Sequence, residues 1–284
     1  MRKKLKFAVV GAGRLGTALA WALHANGYDI SEIVTRGGAP SFRRARQIAR
    51  QLGAKAVNTG TPLTADITWI CVPDDAIRSC AAILAGTQDW SGKVVFHASG
   101  ALSSDELSAL SARGAAVASV HPMMSFVSGV APDLAGVTFA VEGDAAAVRF
   151  ARRIVRDLKA NALAIRKSDK VLYHAWGAFG SPLIVAELAA AECVAAAIGI
   201  SSKQARKTLA PMLRRTIENY IQHGAAAAFS GPIVRGDVET VSRHVRALKK
   251  VPQAREVYLI LARAALKDLP AMNRRGLEKV IGRL

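Results

Sequence analysis

Phe7-Ala8-Val9-Val10-Gly11-Ala12-Gly13-Arg14-Leu15-Gly16 is the stretch on which the reading of this 284-residue chain turns. Phe7 to Val10 is a continuous apolar run of the kind that forms a buried parallel strand, and Thr17 to Asn26 reads as a helix closed by Gly27. Between them three glycines stand at the spacing of a dinucleotide fingerprint. Gly11 permits the tight turn, Gly13 lets the backbone approach a pyrophosphate, and Gly16 lets helix and strand pack closely. The amides at the start of the helix then face the phosphates. The spacing alone also suits a glycine-rich turn with no ligand, but the strand before it and the helix after it favour the dinucleotide. Gly11, Ala12, Gly13, Arg14, Leu15 and Gly16 are therefore the expected cofactor-binding loop.

Outward from this loop, strand and helix patterns alternate. Strands are expected at 5–10, 30–35, 56–58, 66–72, 93–97 and 115–120, with two more at 137–141 and 162–165 around a helix at 144–159. Helices are expected at 41–52, after Pro73 with an aspartate as N-cap, and at 103–113. Such alternation implies an α/β fold with a doubly wound parallel sheet over residues 1–166. From 167 to 284 no strand pattern persists, and helices are expected at 168–179, 182–198, 202–223, 238–248, 252–267 and from Arg274, making this part all-α. The helix from Pro182 is almost entirely Ala, Leu, Ile and Val. It is expected to be buried on most sides, wrapped by other helices and in part by a second subunit.

Composition narrows the function classes. Half of the chain, 51%, is hydrophobic and 21% is charged, as in an ordinary globular protein able to bury a sizeable core. The net charge of +18 is large, but the basic residues are scattered over helix faces without interleaved aromatics or a nucleic-acid motif, so no specific nucleic-acid partner is expected. The start Met1-Arg2-Lys3-Lys4 is too short and too close to the first strand for a signal peptide. The apolar region 175–200 is interrupted by Pro182, Glu187 and Glu192, so a helix buried in protein is expected rather than a membrane span. Cys71, Cys80 and Cys193 have no metal-binding spacing. Cys71 and Cys193 lie in apolar runs and read as small buried hydrophobes in a reducing, cytoplasmic setting.

Residues with chemistry fall at strand ends. The second strand ends Val34-Thr35-Arg36, where a carboxylate would bind the ribose hydroxyls of NAD. Arginine suits a phosphate instead, so Thr35 and Arg36 point to NADP, with NAD the lesser alternative. Val72, Pro73 and Asp74 end the fourth strand and should border the cofactor, with Asp74 read as a helix cap. His97 and Ser99 follow the fifth strand, and His121 closes the sixth. All lie on the sheet edge of the fingerprint loop, where hydride transfer needs a proton donor or acceptor. In the helical part, Tyr173-His174 places His174 on one face with Lys170, and Arg235 in Gly231-Pro232-Ile233-Val234-Arg235-Gly236-Asp237 offers a fork for a carboxylate or phosphate.

With these motifs in this order, nearly the whole chain resembles a bacterial family of Rossmann-like proteins with a helical C-terminal domain of unknown function, described as NADP-dependent oxidoreductases. That family is similar to pyrroline-carboxylate reductase, prephenate dehydrogenase and the 6-phosphogluconate and hydroxyacid dehydrogenases. The resemblance implies a C-terminal part like that of 6-phosphogluconate dehydrogenase, and a homodimer formed through it. It also implies catalytic roles for His121 and Ser99, which match the strand-end histidine and serine of prephenate dehydrogenases. Lys170 is matched without the asparagine that follows it in hydroxyacid dehydrogenases, and Ser181-Pro182 stands where the family has Ser-Asn, so a standard hydroxyacid mechanism is not implied.

The expectation is an NADP-dependent oxidoreductase acting on a small, carboxylate-bearing metabolite. His121, Ser99 and His174 are its catalytic residues, and His97 and Arg235 its substrate-binding residues. The alternative is a non-catalytic NADP-binding regulator or redox sensor.

Overall fold

The computed structural model describes residues 5–127 and 133–282; the basic start Met1 to Lys4 lies outside them. In chain order the strands are β1 (Lys6–Val10), β2 (Asp29–Thr35), β3 (Lys55–Asn58), β4 (Ile67–Ile70), β5 (Val94–His97), β6 (Ala116–Pro122), β7 (Thr138–Gly143) and β8 (Asn161–Ala164). They form one sheet in the order β3-β2-β1-β4-β5-β6-β7-β8. The order reverses between β1 and β4, and the crevice beyond the carboxyl ends of those strands is where open α/β sheets bind ligands.

Successive strand residues face opposite sides of the sheet, so β1 feeds two cores. Phe7 and Val9 pack with α1 (Arg14–Ala25), α2 (Ala39–Leu52) and α5 (Ala145–Asp157). Ala8 and Val10 pack with α3 (Asp74–Ala85) and α4 (Ser108–Ser111). Trp69 of β4 is fully buried edge-on to Phe96 of β5, with ring centroids 5.5 Å apart.

The sheet is not parallel throughout. β7 runs antiparallel to β6, and β8 runs parallel to β7. The connection from β6 to β7 holds no helix among the described residues, so the chain returns directly beside the strand it has left. The helix expected at 103–113 is a 3-10 turn, Ser104–Leu107, followed by the short α4. Ser103 caps that turn by accepting the Asp105 amide, and the Glu142 carboxylate holds both the Ser104 amide and its hydroxyl.

The chain divides into two compact units, Met1–Ala178 and Phe179–Leu284, rather than at 166/167. The first unit reaches past 166 because α6 (Lys170–Gly180) begins with side chains that bond to the sheet, Lys170 to Ser99 and Ser119, and Tyr173 to His121.

The second unit holds α7 (Pro182–Ala196), α8 (Ser202–Ala228, broken at Gly224), α9 (Val238–Ala247), α10 (Pro252–Asp268) and α11 (Arg274–Ile281). Its buried core comes from α9, α10 and α11, through Val241, Val245, Ala262, Leu266, Leu277 and Ile281. Here the expectation for α7 fails in the single chain. None of its residues is buried, Val185 is 63% exposed, and Cys193, expected inside, is exposed. α7 touches α8 and α10 but is not surrounded by them. The span Lys167–Ala196 has the length and apolarity of a membrane helix, with mean hydropathy 1.5, but it is two helices separated at Ser181.

Two glycines set the geometry of the first loop. Gly11 has φ +108°, and a Cβ there would lie 2.5 Å from the Cys71 carbonyl oxygen. A Cβ on Gly16 would lie 1.9 Å from the Gly11 carbonyl oxygen, whereas one on Gly13 would meet nothing within 4 Å. Gly16→Ala should therefore cost roughly 2–4 kcal/mol in urea unfolding, while Gly13→Ala should leave stability near wild type. Equal stabilities for the two variants would contradict this packing.

Candidate active site

The loop between β1 and α1 presents backbone rather than side chains. Gly13 is the N-cap of α1, no side chain caps it, and the first turn carries no acidic residue. The amides at that end are thus left for an acceptor from outside, which favours an anion. Gly13 and Arg14 are exposed, and Ala12 and Leu15 are half-buried. The open space over Gly13 is room that a pyrophosphate needs, so this cradle fits a dinucleotide.

At the end of β2 the Arg36 side chain is exposed, and Gly37 and Gly38 follow it with φ of +95° and +92°. Thr35 is buried, and its Oγ1 accepts the Gly37 amide at 3.4 Å, so it shapes the turn rather than facing a ligand. Among the described residues no carboxylate stands at this strand end. After β4, Val72 is half-buried and Pro73 and Asp74 are exposed. Asp74 is not the cap expected of it. Pro73 is the N-cap of α3 and no side chain caps the helix, while the Asp74 carboxylate accepts the Ser99 hydroxyl at 2.8 Å.

That bond changes the expected roles of Ser99 and His97. The Ser99 hydroxyl donates to Asp74 and accepts the amides of Ala101 and Leu102, so its capacity is full. His97 is fully buried; its Nδ1 accepts the Ser99 amide at 3.1 Å, which leaves Nε2 to donate to the Ser103 carbonyl at 3.0 Å. Both residues hold the turn after β5, and neither keeps a free polar group for a substrate.

His121 remains available. It lies within β6, opposite Ala140 of β7, and is half-buried. Its Nδ1 pairs with the buried Tyr173 hydroxyl at 3.0 Å, and its Nε2 faces Gly100, where a Cβ would lie 2.9 Å away. Burial, then the charges of Lys170, His174 and His97, push the imidazole down to about 4, so it is neutral at pH 7. Burial also pushes the Tyr173 phenol up to about 12. His174 is exposed and stands edge-on to His121, with ring centroids 5.9 Å apart.

Sequence reasoning gave Tyr173 and Lys170 no role. The signal was their spacing on α6, since Lys170, Tyr173 and His174 stand at i, i+3 and i+4 and so share one helix face. Arg235 belongs to the second unit. It is exposed, and its guanidinium makes no hydrogen bond to a described residue. Its loop is shaped by Gly236, whose φ is +69° and where a Cβ would meet the Met272 backbone at 2.8 Å, and Asp237 caps α9 by accepting the Thr240 amide.

Residues 1–122 match the Rossmann-like domain family, and residues 137–265 match a domain of unknown function, DUF2520. No curated protein matches the chain. Among solved structures, this chain is similar to a candidate NADP oxidoreductase from Bacteroides fragilis, with 18% identity, TM-score 0.76, and 92% and 97% of the two chains covered. It is also similar to protein TM1727 from Thermotoga maritima, with 22% identity, TM-score 0.71, and 96% and 98% covered. A reductive aminase from Aspergillus terreus, in complex with NADPH and ethyl-5-oxohexanoate, shares 16% identity at TM-score 0.68, with 98% and 99% covered. At these identities the likeness is one of fold.

Burial holds His97 at about 4, against about 6.5 in an unfolded chain. Between those values the unfolded chain binds a proton that the folded chain does not. The stabilisation is complete above pH 6.5 and is lost as pH falls toward 4, on the order of 3 kcal/mol. Urea unfolding of the wild type should therefore weaken from pH 7 to pH 5. His121 carries the same downward shift, so His97→Gln, which keeps a donor toward Ser103, should remove about half of that slope; an unchanged slope would remove His97 from this role.

Proposed function

We propose that the chain is an NADP-dependent oxidoreductase that transfers hydride to or from a small, carboxylate-bearing metabolite at a carbon–nitrogen or carbon–oxygen double bond. The observation that carries the reading is one sheet edge holding both an open glycine cradle at the start of α1 and the His121–Tyr173 pair at the end of β6. NADP, when bound, supplies or accepts the hydride. Amides of the loop from Gly11 to Gly16 would hold its pyrophosphate, and Arg36 its ribose phosphate.

His121 is the acid–base residue in this reading. In reduction Nε2 gives its proton to the substrate while Nδ1 takes the Tyr173 hydroxyl proton, and the phenolate left behind regains one from water; in oxidation the same protons move the other way. Gly100 keeps the space before Nε2 clear. The exposed guanidinium of Arg235 supports a carboxylate on the substrate, and the ethyl-5-oxohexanoate in the similar Aspergillus terreus reductive aminase supports a carbonyl or imine centre. Ser99 and Asp74 belong to the frame that holds the β5 turn in place.

The second unit supports a homodimer. α7 is apolar apart from Glu187 and Glu192 and has no residue buried, and mostly apolar cavities of about 580 and 530 Å³ flank it. A second copy is the occupant that would bury this helix without a membrane, consistent with a cytoplasmic enzyme.

NADPH should bind at least tenfold tighter than NADH in parallel fluorescence titrations, and Arg36→Ala should erase the difference. Against a panel of keto acids, imines and enols, His121→Asn should abolish turnover and spare NADPH binding; full turnover in that variant would refute the role of His121. Tight NADPH binding with no turnover of any panel member would favour the regulator. Sedimentation should give a dimer, and Val185→Asp should give a folded monomer; a wild-type monomer would contradict the pairing.

A further inference from the structure

Beneath His121 lies a buried polar row. His97, Ser119 and Glu142 are in register across β5, β6 and β7, so their side chains share one face of the sheet. His121 stands two residues beyond Ser119 on that face. All three members of the row are buried, in a protein layer where apolar residues would be the default.

Lys170 covers this row. It is the first residue of α6 and is 1% exposed. Its Nζ donates to the Ser119 hydroxyl at 2.6 Å and to the Ser99 carbonyl at 3.0 Å. Ser119 in turn donates to that same carbonyl at 3.2 Å. No carboxylate bonds the ammonium among the described residues. Glu142 is taken by Ser104, and Asp74 by Ser99. A buried cation without an ion-pair partner is costly, and a lysine that only plugged a gap would be replaced by an apolar side chain at no loss.

We propose that Lys170 is a positioning residue: it ties α6 to the ends of β5 and β6, so that Tyr173 meets His121, and its enclosed ammonium adds to the burial that already disfavours a charge on that ring. The tie is geometric. Tyr173 and His174 lie one helical turn along from Lys170, so anchoring Nζ to Ser99 and Ser119 fixes the face that carries both rings. Its own burial drives Lys170 down to about 8, against the raising effect of Glu142 and Asp74. The groups facing His121 are Lys170, Tyr173 and His174 on α6 and His97 on β5, with Glu106 and Asp74 facing His97. Nζ is enclosed and reaches no substrate, so its influence passes through His121.

The inference deepens the reading of His121 as the acid–base group, but its test uses neither cofactor nor substrate and so stands apart from turnover. The probe is an NMR pH titration of the His121 ring carbon, assigned by its loss in His121→Asn. In the wild type, the midpoint near 4 should be followed by a small second inflection near 8, where Lys170 loses its charge. Lys170→Arg keeps a charge that does not titrate, so the second inflection should vanish while the midpoint stays low. In Lys170→Met the midpoint should rise by roughly one pH unit. If the methionine variant does not fold, the wild type and the arginine variant decide the matter. A wild-type curve with one inflection, an inflection that survives in Lys170→Arg, or an unmoved midpoint in folded Lys170→Met would each overturn the proposal.

Discussion

Everything at the candidate site depends on how closely α1 approaches the ends of β1 and β4. A Cβ on Gly16 would fall 1.9 Å from the Gly11 carbonyl oxygen, and one on Gly11 would fall 2.5 Å from that of Cys71. Two missing methyl groups let the helix start directly over the strand ends. Its uncapped amides then look out at the point where the strand order reverses. Any larger residue at 11 or 16 would lift the helix and move those amides away from the crevice.

A second constraint lies across β5, β6 and β7, where polar side chains occupy a buried face. The row would be costly if its members were unpaired. Here Ser104, Ser99 and the backbone of the β5 turn satisfy Glu142, Lys170 and both nitrogens of His97. Rigidity follows from this. The groups that look catalytic in isolation, Ser99 and His97, have no spare bonding capacity, whereas His121 keeps Nε2 free and His174 stands edge-on to it. The antiparallel return of β7 is part of the same arrangement. It brings Ala140 opposite His121 and Glu142 opposite Ser119, which a further parallel strand in another register would not do.

The sheet was legible from the sequence because its signals are local. Apolar runs mark β1, β2, β4, β5 and β6, and the glycine spacing marks the α1 turn. The reversal at β7 was not legible, since strand direction depends on the connection and not on the strand's own residues. At the strand ends the residue types were legible, but the bonds between them were not. Asp74 read as a cap because Pro-Asp-Asp precedes a helix, whereas the Ser99 hydroxyl, 25 residues on, holds its carboxylate. Lys170 was noted on the His174 face but given no role, because a lysine at a helix start normally faces water, and its burial is visible only once β5 and β6 are placed beneath it. α7 was read as buried from its apolarity, in part under a second subunit, and the single chain leaves it bare, because apolarity marks a surface that favours cover without saying what covers it.

The central claim is that one sheet edge brings a dinucleotide and His121 together. A structure determined with NADPH bound tests it most directly. The account predicts the pyrophosphate against the amides from Gly11 to Gly16, the ribose phosphate against Arg36, and the nicotinamide in the space before His121 Nε2. A dinucleotide bound elsewhere, or one whose nicotinamide points away from His121, would contradict it.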